Sequence, residues 1–180
     1  MGRCGFGAAR TDEAIVYGAQ RPGYPDKLVD SSCVTEWISF MQQSGVQRIC
    51  CLLPRTQLGY YSVDLLRMYR EAFGESEVCH AEIDDYHLCD PIVLKGKILP
   101  FIFQSLQTRA PVVVHCSGGS GRTGHVLAAW LVHHRGLSVD DALDTVISSG
   151  RNPWEAVQCG NATEEQLRSL LAGRSSQRAG

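Results

Sequence analysis

The sequence predicts an α/β domain with a central, mostly parallel sheet flanked by helices on both faces. Three observations carry this. Strand and helix patterns alternate through the middle of the chain, one valine run is apolar on both faces, and everything after Val114 reads as helix. At 180 residues the chain is one domain's worth, able to bury roughly 70% of its unfolded surface in a single core.

Ala14 to Tyr17 reads as a short first strand, and Val46 to Leu53 as a second, buried and stopped by Pro54. Glu77 to Ile83 is a weaker third. Pro111 to His115 is the fourth, and its β-branched triplet Val112, Val113 and Val114 suits a central parallel strand covered on both sides. Asp90 and Pro91 open the clearest helix, an N-cap acid ahead of proline at the first helical position. Ile92, Leu94, Ile98, Leu99, Ile102, Phe103 and Leu106 continue it, with Pro100 expected to kink it. From Arg122 to Arg135 the run Val126 to Val132 is apolar on every face, as in a helix inside the core. Ser138 with Asp141 and Thr163 with Gln166 carry capping-box signals for two more helices. Residues 1–12 are expected to be a flexible N-terminus and 173–180 a flexible tail, around one domain over 13–172.

Seventeen Lys and Arg against nineteen Asp and Glu give a net charge of −2. That leaves no basic field for nucleic acid or an anionic membrane, so neither is expected as a partner. No apolar run approaches the ~20 residues of a membrane span. The eight cysteines are scattered, with no C-x-x-C pair, and Cys79 and His80 are adjacent rather than spaced for tetrahedral ligation. No metal and no cofactor are expected. Met1 to Arg10 has no apolar core for a signal peptide, and Phe6 stands where a myristoylation motif needs Ser or Thr. A reducing cytoplasm fits the cysteine pattern. The oligomeric state is left open.

The stretch from His115 to Gly124 lies between the valine strand and the buried helix. A strand, a glycine loop and a helix N-terminus together make an anion site, because glycines let successive N–H groups point into one concavity and the helix dipole adds positive charge. Three readings compete. Gly119, Gly121 and Gly124 match a dinucleotide fingerprint, but no second strand ending in an acid follows. Cys116 to Thr123 aligns with a nucleotide P-loop, with Cys for its first glycine and Arg for its lysine. The third reading is made by those two departures, a thiol followed five residues later by a guanidinium on one loop. N–H donors at a helix N-terminus favour a thiolate nucleophile. Arg122 can grip two phosphoryl oxygens and follow them into the transition state, and Thr123 can donate its hydroxyl to the sulfur.

His115, Cys116, Arg122 and Thr123 complete the His-Cys-x5-Arg-[Ser/Thr] signature of the cysteine-dependent protein tyrosine phosphatase superfamily. The Gly-x-Gly-Arg-Thr-Gly ending resembles its small, atypical dual-specificity branch. The resemblance implies a phosphatase-type anion loop, a phosphocysteine intermediate at Cys116 and hydrolysis by water, with Ser117, Gly118, Gly119, Ser120, Gly121, Arg122 and Thr123 binding the phosphoryl group. It also implies an aspartate on a loop about 30 residues ahead of the cysteine, acting first as acid and then as base. Asp85 is favoured, because Ile83-Asp84-Asp85-Tyr86 resembles the family's acid loop. Asp84 and Asp90 are the alternatives, and Asp90 is better explained as a helix cap.

Relatives sometimes keep, beside Cys50 and Cys51, a partner that forms a protective disulfide with the nucleophile. Packing explains these two equally well, and Cys33, Cys50, Cys51, Cys79, Cys89 and Cys159 all read as small buried hydrophobes. His115, next to the nucleophile on a strand, should point away from it and bond the loop backbone. His80, His87, His125, His133 and His134 are expected to face solvent or fill gaps. Arg55 and the loop from Arg151 to Gln158 are candidates to border the pocket.

The loop contains no lysine, which leans the reading towards phosphotyrosine in a phosphorylated protein substrate, with phosphoserine or phosphothreonine next. Phosphatases of inositol phosphates, lipids or RNA 5′ ends are the alternative, as is a phosphate-binding module without turnover. A sulfur-transfer enzyme is more remote.

Overall fold

The computed structural model describes residues 2–173; Met1 and residues 174–180, most of the expected tail, lie outside the described residues. Five strands form one sheet: β1 (Gly7–Ala8), β2 (Val16–Gln20), β3 (Arg48–Cys51), β4 (Val78–His80) and β5 (Val112–Cys116), in the order β1-β2-β5-β3-β4. All neighbours are parallel except β1 and β2. The valine strand is central, as its double-sided apolar pattern requires, and every residue of it is buried.

Alternation along β5 divides the core in two. Val112, Val114 and Cys116 face helices α5 (Leu99–Thr108), α6 (Gly121–Arg135), α7 (Val139–Ser148) and α9 (Glu164–Leu171). Val113 faces α1 (Ser31–Gln43) and α3 (Leu65–Phe73), through Val34, Trp37, Met41, Leu65 and Tyr69. Short helices α2 (Arg55–Leu58) and α8 (Glu155–Gln158) sit at the sheet's C-terminal edge loops.

Local signals explain the helix starts. Asp30, Asp64, Asp90, Ser138 and Thr163 each accept a backbone N–H from the first turn they precede, and Thr163 with Gln166 closes the full reciprocal box. Pro100 acts differently from expectation. Lacking an N–H, it cannot bond back four residues, and the chain absorbs this as a π turn over Leu94–Ile98, with Leu99 N–H reaching Leu94, between α4 (Pro91–Val93) and α5. Helix α6 is buried all round through Leu131 and ends at Gly136, which takes the left-handed conformation at φ 70°.

The segment ahead of β2 is part of the layer. Gly7–Ala8 pairs with Gly18 and Tyr17, and Ala9 is fully buried. The buried carboxylate of Glu13 accepts from Arg135 Nε and Nη2 at 2.9 and 3.0 Å and from Trp130 Nε1 at 3.3 Å. Burial pushes its pKa up, but these donors and the Ile15 N–H outweigh it and hold the carboxyl below its ordinary value. Cys33 and Cys159 are exposed, contrary to the reading of both as core; each sits on the outer side of a helix turn, where the apolar pattern is broken. No described helix is long and apolar enough to cross a membrane.

Candidate active site

Strand β5 ends at Cys116 and α6 begins at Gly121, so the glycine loop spans the gap between sheet and helix dipole. Its shape is enforced from outside. Gly119 has φ 67°, and a Cβ there would lie 2.6 Å from the Ala19 carbonyl oxygen, so only glycine fits. Arg151 Nη1 donates to the Gly119 carbonyl at 2.6 Å. Arg21 N–H donates to the Ser117 carbonyl and its Nε to Ser117 Oγ, both at 3.1 Å. With those carbonyls held outward, the N–H groups of Ser117, Gly118, Gly119 and Ser120 donate to no acceptor among the described residues. Four free amides around one thiol form a nest for an anion.

Cys116 lies at the floor of a cleft of about 90 Å³. Asp85, Arg122, Glu155 and two exposed rings, Tyr24 and Tyr86, complete its walls with the loop. Arg122 is 2% exposed; its Nη2 pairs with Asp85 Oδ1 at 2.7 Å. Its Nη1 donates to Gln57 Oε1 at 2.9 Å and to the Ile83 carbonyl at 3.1 Å. Gln57 Nε2 in turn donates to Asp85 Oδ2 at 2.8 Å. Arg122 Nε is buried with no partner among the described residues. The loop that carries Asp85 is thus folded onto the arginine, and Nε is the guanidinium nitrogen left without a partner among the described residues.

His115 points to the opposite face from Cys116, as strand alternation demands, and packs on Trp37 and Tyr69. Burial drives its pKa down to about 3, so the ring is neutral. Nδ1 faces the Cys116 carbonyl at 3.4 Å and Nε2 faces the Tyr69 hydroxyl at 3.2 Å. A neutral ring satisfies both by donating from Nδ1 and accepting at Nε2. His125 is also buried, the second of the two alternatives expected for it. Its Nε2 accepts the Cys89 N–H at 3.2 Å, which ties the end of the segment that carries Asp85 to α6, and burial lowers its pKa to about 4. At the rim, Glu155 is raised above the ordinary carboxylate range, first by burial and then by Asp85.

Most of the expected residues converge. Cys116, Asp85, Arg122, Ser117, Gly118, Ser120 and Gly121 line the cleft, while Gly119 and Thr123 lie behind it. The expected hydroxyl bond to sulfur is absent: Thr123 Oγ1 is buried without a partner among the described residues. Asp84 is exposed on the outer side of its loop, and Asp90 caps α4 through the N–H groups of Ile92 and Val93. Arg55 points to solvent and pairs with Glu82. Cys51 lies beside His115 in the register, on the face turned away from Cys116, and burial pushes its thiol up to about 12. Gln57, Arg21 and Tyr24 were not singled out by sequence. Nothing marks Gln57 locally, but Gly18 was a readable sign for Arg151, since a Cβ there would lie 2.6 Å from its Cζ. No group of three or more metal-ligating side chains occurs among the described residues.

Fold and loop together are those of the protein tyrosine phosphatase superfamily, of its dual-specificity type. More particularly, the chain belongs to the family described as polymorphic toxin system, DSP-PTPase phosphatase (Tc-R-P), whose model matches residues 26–136. It is 28% identical over 122 residues to the amyloplastic phosphoglucan phosphatase DSP4 of Castanea sativa, covering 66% of this chain and 32% of that one. It is 31% identical over 83 residues to the dual specificity protein phosphatase Mpk3 of Drosophila melanogaster, covering 46% and 20%. The chain therefore spans a third or less of the length of these relatives. Among solved structures, kinase associated phosphatase superposes with TM-score 0.68 at 24% identity, over 86% of this chain and 83% of that one.

Proposed function

We propose that the protein hydrolyses an aryl phosphomonoester, phosphotyrosine in a protein foremost, through a phosphocysteine at Cys116. The observation that carries this reading is the thiol of Cys116 at the floor of four unpartnered N–H groups, with Arg122 and Asp85 on one wall.

In the first step Cys116 sulfur attacks phosphorus, the P–S bond forms and the P–O bond to the leaving group breaks. The loop amides and the Nε–Nη2 edge of Arg122 take the equatorial oxygens, whose geometry they match best when phosphorus is trigonal. Asp85, entering protonated, gives its proton to the departing oxygen. In the second step water attacks phosphorus, Asp85 takes the water's proton, and the P–S electrons return to Cys116 as thiolate.

The rim favours an uncharged aromatic leaving group. Tyr24 and Tyr86 offer aromatic rings, Glu155 repels further phosphates, and among the described residues Arg122 is the one cation lining the cleft. A phosphorylated glucan is the second reading, favoured by the resemblance to the phosphoglucan phosphatase, because aromatic rings also stack on sugars.

Hydrolysis of p-nitrophenyl phosphate in EDTA by the wild type and Cys116→Ser tests the chemistry. Activity lost only in the variant is expected; an active serine variant overturns the nucleophile. A panel of phosphotyrosine, phosphoserine, inositol phosphate and phosphorylated glucan then ranks the substrates, and a preference for inositol phosphate overturns the aryl reading.

A further inference from the structure

Gln57 occupies an unusual place for an amide. It stands in the short helix α2, just after the Pro54 that ends the β3 run, and is 5% exposed. A buried amide costs stability unless both ends are hydrogen-bonded. Here both are, and the partners are the two charged side chains of the cleft wall: Oε1 accepts from Arg122 Nη1 at 2.9 Å, and Nε2 donates to Asp85 Oδ2 at 2.8 Å. Since Arg122 Nη2 also meets Asp85 Oδ1 at 2.7 Å, the three side chains close a ring drawn from distant parts of the chain.

We infer that Gln57 is a positioning residue that keeps Asp85 over the cleft when the substrate phosphate takes Arg122 away from it. This rests on the roles given above to Asp85 and Arg122. A phosphoryl group above Cys116 claims the unpartnered Nε of the guanidinium and displaces Asp85 from Nη2, because that edge matches two phosphoryl oxygens. Asp85 then loses its ion pair and Oδ1 is released towards the leaving oxygen. Arg122 Nη1 is not needed for phosphate and stays on Gln57 and the Ile83 carbonyl. Gln57 Nε2 stays on Oδ2, so the carboxyl exchanges one partner without losing its place.

The same N–H acts on the proton transfer. As the O–H bond of Oδ1 breaks and the proton passes to the leaving oxygen, negative charge develops on the carboxyl, where Gln57 already donates. In the hydrolytic step the charged carboxylate is held by that bond while it takes the proton of water. The other charged or titratable groups facing Asp85 are Arg122 from α6, Glu155 beginning α8, Cys116 at the end of β5, Tyr24 from the segment after β2, and Tyr86 and His87 from its own segment.

Three variants of the full chain separate the possibilities: Asp85→Ala, Gln57→Leu and Gln57→Glu, each with p-nitrophenyl phosphate and with phenyl phosphate, whose leaving group is poorer. Gln57→Leu is expected to lower kcat/KM, which reports the step that expels the leaving group, by about 10-fold on phenyl phosphate and by no more than about 3-fold on p-nitrophenyl phosphate. Gln57→Glu keeps the side-chain length and the Arg122 bond but sets a carboxylate against Asp85. It is expected to move the alkaline limb of the pH–rate profile up by about one unit. Equal losses on both substrates with an unmoved limb in Gln57→Glu overturn the inference, leaving a merely structural amide. Should Gln57→Leu not fold, the Gln57→Glu limb decides alone. If Asp85→Ala itself shows no dependence on the leaving group, the acid assignment fails; if it does and the Gln57 variants do not, only the present inference fails.

Discussion

The guanidinium of Arg151 crosses over Gly18 to the carbonyl of Gly119, which it meets at 2.6 Å. The same side chain takes the Gly18 carbonyl at 2.8 Å and the Gly7 carbonyl at 3.2 Å. It is 3% exposed, and burial lowers its pKa to about 10, so it remains charged at neutral pH with only carbonyl partners among the described residues. A buried cation held by carbonyls alone is costly. What it does in return is turn the loop carbonyl outward and add positive potential behind Cys116. Arg151→Met should therefore weaken inorganic phosphate binding by about 10- to 100-fold while the protein still folds. Isothermal titration with phosphate checks it, and unchanged affinity would remove Arg151 from the site.

Gly18 serves that crossing. An added Cβ would stand 2.6 Å from Arg151 Cζ and 2.8 Å from Thr123 Cγ2, so Gly18→Ala must displace one of them. The expected cost is about 1–3 kcal/mol of stability, together with a loss of phosphate affinity. Because both substitutions act on one contact, the double variant with Arg151→Met should lose less affinity than the two single losses combined. Additive losses in a double-mutant cycle would mean that Gly18 acts on packing alone.

This pair also shows what the sequence conveyed and what it withheld. The loop was legible because Cys116, Arg122 and its glycines are contiguous, and a contiguous motif states its own geometry. The sheet was legible from Val112 to Val114, whose branching on both faces fits only a central strand. Strand β2 was read two residues early, as Ala14 to Tyr17 instead of Val16–Gln20, because Gly18 and Ala19 are poor strand formers held there for what crosses them. Tyr24 reaches the cleft, and Gln57 and Arg21 reach the residues that line it, from segments far from the motif, and no local pattern encodes a contact made across 65 residues, as between Gln57 and Arg122. His125 hid on a helix that is apolar all round, where a buried ring bonding Cys89 looks like filler.

Both buried histidines make the fold sensitive to acid. Burial sets His115 at about 3 and His125 at about 4, against an ordinary value of 6.5. Their folded values are depressed, so below 6.5 the unfolded chain binds more protons than the folded one. Stability is full above that value and falls as pH drops towards 4, by about 1.4 kcal/mol per unit for each ring. Urea unfolding at pH 7, 6 and 5 should show this fall. His125→Gln, which can still accept the Cys89 N–H, should remove about half of the slope; an unaltered slope would place the titration elsewhere.

Glu155 offers the sharpest handle on substrate choice. Its carboxylate sits against the Gly121 N–H, close enough that a side chain on Gly121 would collide with it, and it shares the rim with Asp85. Burial and the Asp85 charge both raise its pKa, yet its charge still opposes a second phosphate at the mouth of the cleft. Glu155→Gln preserves the shape and removes that charge. Relative kcat/KM for an inositol polyphosphate over phosphotyrosine should then rise by about 5-fold, the equivalent of roughly 1 kcal/mol of relieved repulsion. Competition assays at low and at high salt measure the ratio, and the gain should shrink at high salt as screening replaces the lost contrast. A ratio indifferent to the substitution would mean that the rim does not select by charge, and that Tyr24 and Tyr86 alone discriminate.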